Sequence, residues 1–261
     1  MVKLTEEERQ LRYVKYFYDK LAEIPEEKIA ISEGKVLDPA LVLDIKEKNR
    51  FLKTQMKDAE IGFAINEDGT GYVSNKTFMK NVKSEMIDWW FAWHCIGSDL
   101  RYKLWDHDDH YYARADKVDY ILDKSVPLNQ KTWGVTHRIL EDIGFGPSQL
   151  TLAFKRPSDF GYDEKLLGSE YCNSMVCAIG IGDTPAFMTH KYYEVEGGVV
   201  FESKFWLGYG YIDGKLVKIL PEGIKVPEIA VRNLFKHNIK EFSNLAKILP
   251  ELYSEEKDNW L

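Results

Sequence analysis

Cysteine is scarce in this chain: Cys95, Cys172 and Cys177 are the only three in 261 residues. Their odd number and spacing build neither a disulfide framework nor a zinc knuckle or redox pair, so reduced thiols in a cytoplasmic protein are expected. Long apolar runs are missing too. None approaches the roughly 20 residues that span a bilayer, and the N-terminus opens on charged residues, not on a basic then apolar leader, so no membrane partner is expected. Basic charge is also short, with 35 Lys and Arg against 42 Asp and Glu and a net charge of −7. Without a basic cluster interleaved with aromatics, nucleic acid is not an expected partner.

What the chain has in quantity is aromatic surface: seven Trp, fifteen Tyr and thirteen Phe within a 44% hydrophobic composition. That is enough for a large core and for an aromatic-lined cavity. Thr5 with Glu8 forms a capping-box pattern, followed by apolar residues at helical spacing up to Pro25. A second amphipathic helix is read from Pro39 to about position 51. Positions 61–73, with Asn66 to Gly69 between apolar runs, read as a hairpin. Positions 78–96 place Met79, Val82, Met86, Trp89, Trp90 and Trp93 at helical spacing. From Lys131 onward the pattern turns to strands, at least five of them, with turns at Gly197-Gly198 and Asp213-Gly214. We expect an N-terminal helical extension over 1–58 and a main α+β domain over 59–261.

The chain closes on a long helix, read from 226 to about 249 with Pro227 in its first turn. Ala230, Val231, Leu234, Phe235, Phe242, Leu245, Ile248 and Leu249 gather on one side, and Arg232, Lys236, Lys240 and Lys247 on the other. His237 falls at the edge of the apolar arc and Glu241 inside it. Four residues apart, they can give two ligands to one metal ion or form a hydrogen-bonded core pair. An ionised Glu on a core face costs several kcal/mol unless a cation or donors meet it. A helix apolar on one side must lie across the sheet, and a curved sheet closing over it leaves a cavity.

Other groups can reach such a cavity. The stretch from Ser98 to Tyr112 is dense in carboxylates and imidazoles; His107 and His110 are its candidate ligands, against the alternative of a solvated acidic loop. Arg101 and Tyr102 are polar handles beside Trp105. Alternation puts Val135, His137, Ile139 and Glu141 on one strand face, making Glu141 a second inward carboxylate. His190 shares a face with Met188 and Tyr192, and either lines the cavity or packs. Two imidazoles and two carboxylates suit zinc, with manganese or iron as alternatives by ligand type.

These residues together carry a resemblance to the 2,4-diacetylphloroglucinol hydrolase and phloretin hydrolase family. It rests on DWWFAWH from Asp88 to His94, on DLRYKLW from Asp99 to Trp105 leading to His110, on His137 to Glu141, and on His237 to Glu241. It covers about 60 to 245. The resemblance implies a Bet v 1-like helix-grip domain with an N-terminal extension, and one Zn2+ held by His110, Glu141, His237 and Glu241. It implies Tyr102 as a substrate-binding tyrosine and His190 as a pocket histidine with a catalytic part in proton transfer. Arg101 and Phe205 are expected beside the substrate; Phe205 stands in place of a tyrosine and Ala113 in place of a polar contact. The implied reaction is hydrolysis of the bond between ring and carbonyl carbon of a small phenolic ketone, an acylphloroglucinol. The competing reading is a helix-grip carrier of an apolar or phenolic ligand, and a homodimer is left open.

Overall fold

The computed structural model describes residues 1–182 and 185–261. Eight strands form one antiparallel sheet: β1 (Gly62–Ile65), β2 (Gly71–Lys80), β3 (His110–Ala115), β4 (Thr136–Glu141), β5 (Ser148–Phe154), β6 (Ser174–Ile181), β7 (Ala186–Val195) and β8 (Gly198–Leu207). Their order across the sheet is β1-β2-β8-β7-β6-β5-β4-β3, so β2 and β8 meet although the other five strands that follow β2 lie between them in the chain. The turn joining β7 to β8 needs its two glycines. Gly197 has φ +81°, and a Cβ on Gly198 would come within 2.2 Å of the Met79 carbonyl oxygen.

The expected meander ends sooner than its pattern suggests. Gly208, at φ +90°, turns the chain out of β8, and β9 (Tyr209–Ile212) pairs only with β10 (Lys215–Lys218), as a separate hairpin. Among the described residues, three α-helices of eight residues or more accompany the strands: α1 (Glu26–Glu33), α2 (Ser84–Trp93) and α3 (Glu228–Glu256). The predicted Trp-rich helix begins later than expected, because 78–80 continue β2 against β8. Within α2, Trp89, Trp90 and Trp93 are almost wholly buried, and Trp89 stacks on Trp93 at 4.7 Å.

α3 runs across the concave face of the sheet, as its one apolar side requires, and this is the helix-grip architecture that the family resemblance implies. Val231, Phe235, Phe242, Leu245, Ile248 and Leu249 from the predicted arc are all buried. The helix does not stop before Pro250 but continues to Glu256. Its last turns are anchored: Leu252 and Glu256 are fully buried, and Arg12 bonds both carboxylate oxygens of Glu256 at 2.5 and 2.7 Å. A proline in a helix interior costs about 3 kcal/mol, and these contacts offset it.

The N-terminal segments are less helical than their spacing implies. The Thr5/Glu8 capping box is present, but the helix it starts covers only Glu6–Arg9; Leu11 is extended, and short turns follow at Arg12–Val14 and Lys15–Tyr18. This break lets Tyr13 pack edge-on to Trp93 at 5.3 Å and Phe17 against His107 at 5.5 Å. The expected helix from Pro39 likewise divides into 3-10 turns at Pro39–Leu41 and Ile45–Lys53. Between them the chain is straightened, and Trp206 on β8 donates to the Leu43 carbonyl at 2.8 Å. Ile45 and Leu52 join a second core with Tyr72, Phe187 and Trp206 on the side of the sheet away from α3. Apolar layers on both faces account for the unbroken burial of Met175 to Ile179 on β6. All three cysteines are buried and unpaired, and no helix among the described residues is long and apolar enough to cross a membrane.

Candidate active site

Between α3 and the concave sheet lies a cavity of about 620 Å³. Its walls follow the period-two pattern of the strands: Ile139 and Glu141 from β4, Leu150, Leu152 and Phe154 from β5, Met188 and His190 from β7. α3 contributes Ala230, Leu234, His237 and Glu241, and α2 contributes Phe91. Phe205 lines the same space, as expected.

At one end four donors meet. His110 opens β3 and Glu141 closes β4, and the ladder pairs them directly. His237 and Glu241, one turn apart on α3, face that pair. His110 Nε2 lies 3.1 Å from His237 Nε2 and 3.8 Å from an oxygen of each glutamate; His237 Nε2 lies 3.9 Å from the same two oxygens. Metal to donor bonds of 2.0–2.2 Å in a tetrahedron correspond to edges of about 3.4 Å, and these separations bracket that value. The tautomer fits as well: His110 Nδ1 lies 3.3 Å from the Tyr102 carbonyl, to which it donates, leaving the Nε2 lone pair turned inward. Burial and the neighbouring His237 hold the His110 imidazole well below its ordinary pKa, while burial and Glu141 push Glu241 well above the carboxylate range. Without a cation, the lone pairs of this buried cluster would face one another. The residues present suit a divalent ion.

The surrounding bonds fix this geometry. Tyr102 is buried, its ring stacked on His110 at 4.1 Å and within 3° of parallel, and its hydroxyl donates to Glu141 Oε2. Burial and the Glu141 charge keep that phenol protonated. Asn238 donates to Glu241 Oε1 at 3.2 Å and accepts from Asn75 at 2.9 Å, tying the helix to β2. His190 shares a bond with Ser203 through Nδ1 at 2.9 Å, stacks between Phe91 and Phe201, and is driven down to a pKa of about 3 by burial.

Two expected residues lie elsewhere. Arg101 does not line the cavity. Its guanidinium stacks on Trp93 at 4.1 Å and donates to the carbonyls of Trp93, Asn259 and Trp260, so it ties down the C-terminal segment. His107 points away from the quartet toward the Asp19 carbonyl, 3.2 Å from its Nε2. The helical stacking of one turn aims Arg101 and Tyr102 at different sides, which their adjacency in sequence conceals. Ala113 is buried but is not part of the cavity wall.

The structure also places in the cavity two histidines to which the sequence reading gave no role of their own. His94 and His137 line the cavity next to each other, 5.4 Å between rings, and burial leaves both neutral, His94 with a pKa down to about 4. Both ring nitrogens of His137 lack a protein partner. Its place on the same strand face as Glu141 was the available signal. At the other end, Phe145, Ile181 and Ile229 form an apolar rim, each at least half exposed. Phe145 sits in a loop built on Asp142, whose Oδ1 accepts from the amides of Gly144, Phe145 and Gly146.

Residues 41–254 match the family model described as the DAPG hydrolase PhiG domain. The chain belongs to that family. It is 53% identical over 261 residues, 99% of this chain and 95% of the relative, to the phloretin hydrolase of Eubacterium ramulus. It is 27% identical to 2,4-diacetylphloroglucinol hydrolases of a Pseudomonas species and of Pseudomonas protegens, over 95% of this chain and 89% and 85% of theirs. The protein is a hydrolase. Among solved structures, that of Ara h 8.0201 aligns over 70% of this chain and 99% of its own, with a TM-score of 0.42 and 8% identity.

Proposed function

We propose that this protein hydrolyses the carbon-carbon bond between the ring and the acyl carbonyl of an acylphloroglucinol, with one zinc ion held by His110, Glu141, His237 and Glu241. The observation that carries the reading is the convergence of these four donors at the polar end of an otherwise apolar cavity, beside Tyr102 and His190. The names of the relatives support the substrate class. Bound there, zinc would supply the positive charge that activates water or polarises a carbonyl.

The chain's own residues do the rest. The cavity walls are hydrocarbon and aromatic, so an aromatic ring enters with its faces against Phe154, Leu152 and Met188. The Tyr102 hydroxyl donates a hydrogen bond to Glu141, so its oxygen lone pairs are free to accept from a ring hydroxyl. His190, bonded to Ser203 through Nδ1 and kept neutral by burial, would accept a hydrogen bond from a ring hydroxyl and hold it in place while that hydroxyl gives up its proton and the ring carbon beside the acyl group gains one. Water then adds to the carbonyl carbon, and the ring to carbonyl bond breaks with its electron pair left on the ring. The products are a phloroglucinol and a carboxylic acid. Ring hydroxyls ortho and para to the acyl group make this possible, because they stabilise the keto form and the departing charge; a bare phenyl ring does neither.

The test is a matched series of aryl ketones with three, two, one and no ring hydroxyls, incubated with protein purified without added metal and assayed for zinc. One zinc per chain, cleavage of phloretin or diacetylphloroglucinol, and little product from acetophenone are expected. Comparable rates across the series would reject the mechanism. Binding of every member with no product and no metal would identify a carrier.

A further inference from the structure

We infer that Asp106 is the positioning residue for His237, an inference that rests on the proposed metal quartet. His237 turns Nε2 toward the other three donors, so a ligand lone pair on Nε2 requires the proton on Nδ1. That Nδ1 is buried and has no partner. Asp106 has the complementary defect. It is completely buried, Oδ1 is held by Lys240 at 2.9 Å and by the Asp108 amide at 3.1 Å, and Oδ2 has no partner. A carboxylate oxygen of Asp106 and a ring nitrogen of His237 lie within 4.8 Å. An orphaned donor beside an orphaned acceptor, both out of reach of solvent, is costly unless the two are joined. A small side-chain rotation or one bridging water joins them.

Metal-binding imidazoles are commonly backed in this way by a carboxylate, which fixes ring orientation and raises basicity. Asp106 also organises the other imidazole, since its carbonyl accepts the His110 amide at 2.8 Å. One residue thus backs His237 with its side chain and sets the turn that places His110. Lys240, three residues after His237 on α3, holds the arrangement by bonding both Asp106 and Asp109, the latter at 2.7 Å. Asp106, Asp109 and His237 could look like a second metal site. The Lys240 ammonium already fills the cation's place between the two carboxylates.

The experiment measures zinc affinity by competition with a chromophoric chelator in the wild type, Asp106→Asn, Asp106→Ala and Lys240→Met. Asp106→Asn should bind zinc about 10- to 100-fold more weakly, Asp106→Ala more weakly still, and Lys240→Met should shift affinity in the same direction by less. NMR of the zinc-loaded protein should show a slowly exchanging His237 Nδ1–H that moves upfield in Asp106→Asn. Urea unfolding of the metal-free Asn variant controls for structure. Wild-type zinc affinity and an unmoved imidazole signal in Asp106→Asn, with or without lost apoprotein stability, would overturn the inference. A wild type that binds no stoichiometric zinc would instead overturn the quartet itself.

Discussion

Replacing Tyr102 by Phe separates a substrate contact from ligand support. The substitution keeps the ring that stacks on His110 at 4.1 Å and removes one atom, the hydroxyl that donates to Glu141. A hydrogen bond to a charged acceptor contributes about 1.5–3 kcal/mol when the partner is left buried and unpaired. At about 1.4 kcal/mol per power of ten, the loss corresponds to roughly a ten- to hundredfold fall in kcat/KM. The lower end applies if bound zinc compensates Glu141, and the higher end if the same oxygen also holds a ring hydroxyl. The assay is steady-state release of phloroglucinol from phloretin, beside zinc content measured on the same preparation. Zinc should remain at one per chain while turnover falls. Unchanged kcat/KM would return Tyr102 to a packing role, and loss of zinc would show that the phenol acts on the ligand set and not on substrate.

Three further outcomes are expected. His237→Ala should lose zinc and activity together, and full occupancy by metal analysis would refute its assignment as a ligand. Phe242, fully buried against Phe201 at 4.3 Å and Trp105 at 5.2 Å, should cost about 3–5 kcal/mol on replacement by Ala; a change below 1 kcal/mol in urea unfolding would contradict its place at the centre of the core. Asp88, which accepts from Tyr192 and Ser174, is pushed by burial from 3.8 up to about 6. Between those values the native state keeps a proton that the unfolded chain has released, so stability falls as pH rises from about 4 to 6, by about 3 kcal/mol. Asp88→Asn should flatten that slope, and an unaltered profile would mean that Asp88 is not its source.

The candidate site was legible in the sequence where one periodicity governed it. His237 and Glu241 share a helical face and Glu141 shares an inward strand face with His137, because spacings of four and two survive into the fold. Their convergence was not legible from period alone: it depends on the start of β3 lying beside the end of β4 at the height of the third and fourth turns of α3, and no local pattern encodes that register. Resemblance supplied what period could not. Arg101 was misplaced because its neighbour Tyr102 does face the cavity, and only the position of the C-terminal carbonyls shows where a guanidinium finds its acceptors. The N-terminal helices were overread for a related reason. Helical spacing did not mark the buried side chains here, since Tyr18 is exposed, whereas Tyr13, Phe17, Ile45 and Leu52 reach their partners through broken turns, where tertiary packing outweighs weak local propensity.

The cavity's two ends are written in separate parts of the chain. The four donors sit at the end of β4, the start of β3 and the third and fourth turns of α3, whereas Phe145 lies in the β4–β5 loop, Ile181 at the end of β6 and Ile229 in the first turn of the helix. Loops tolerate change that a hydrogen-bonded ladder does not. A lineage can therefore reshape the mouth, lengthening or trimming the β4–β5 loop to admit a different acyl arm, while the ladder that pairs His110 with Glu141 is inherited intact. Divergence in substrate range within such a scaffold needs no intermediate that has lost its chemistry.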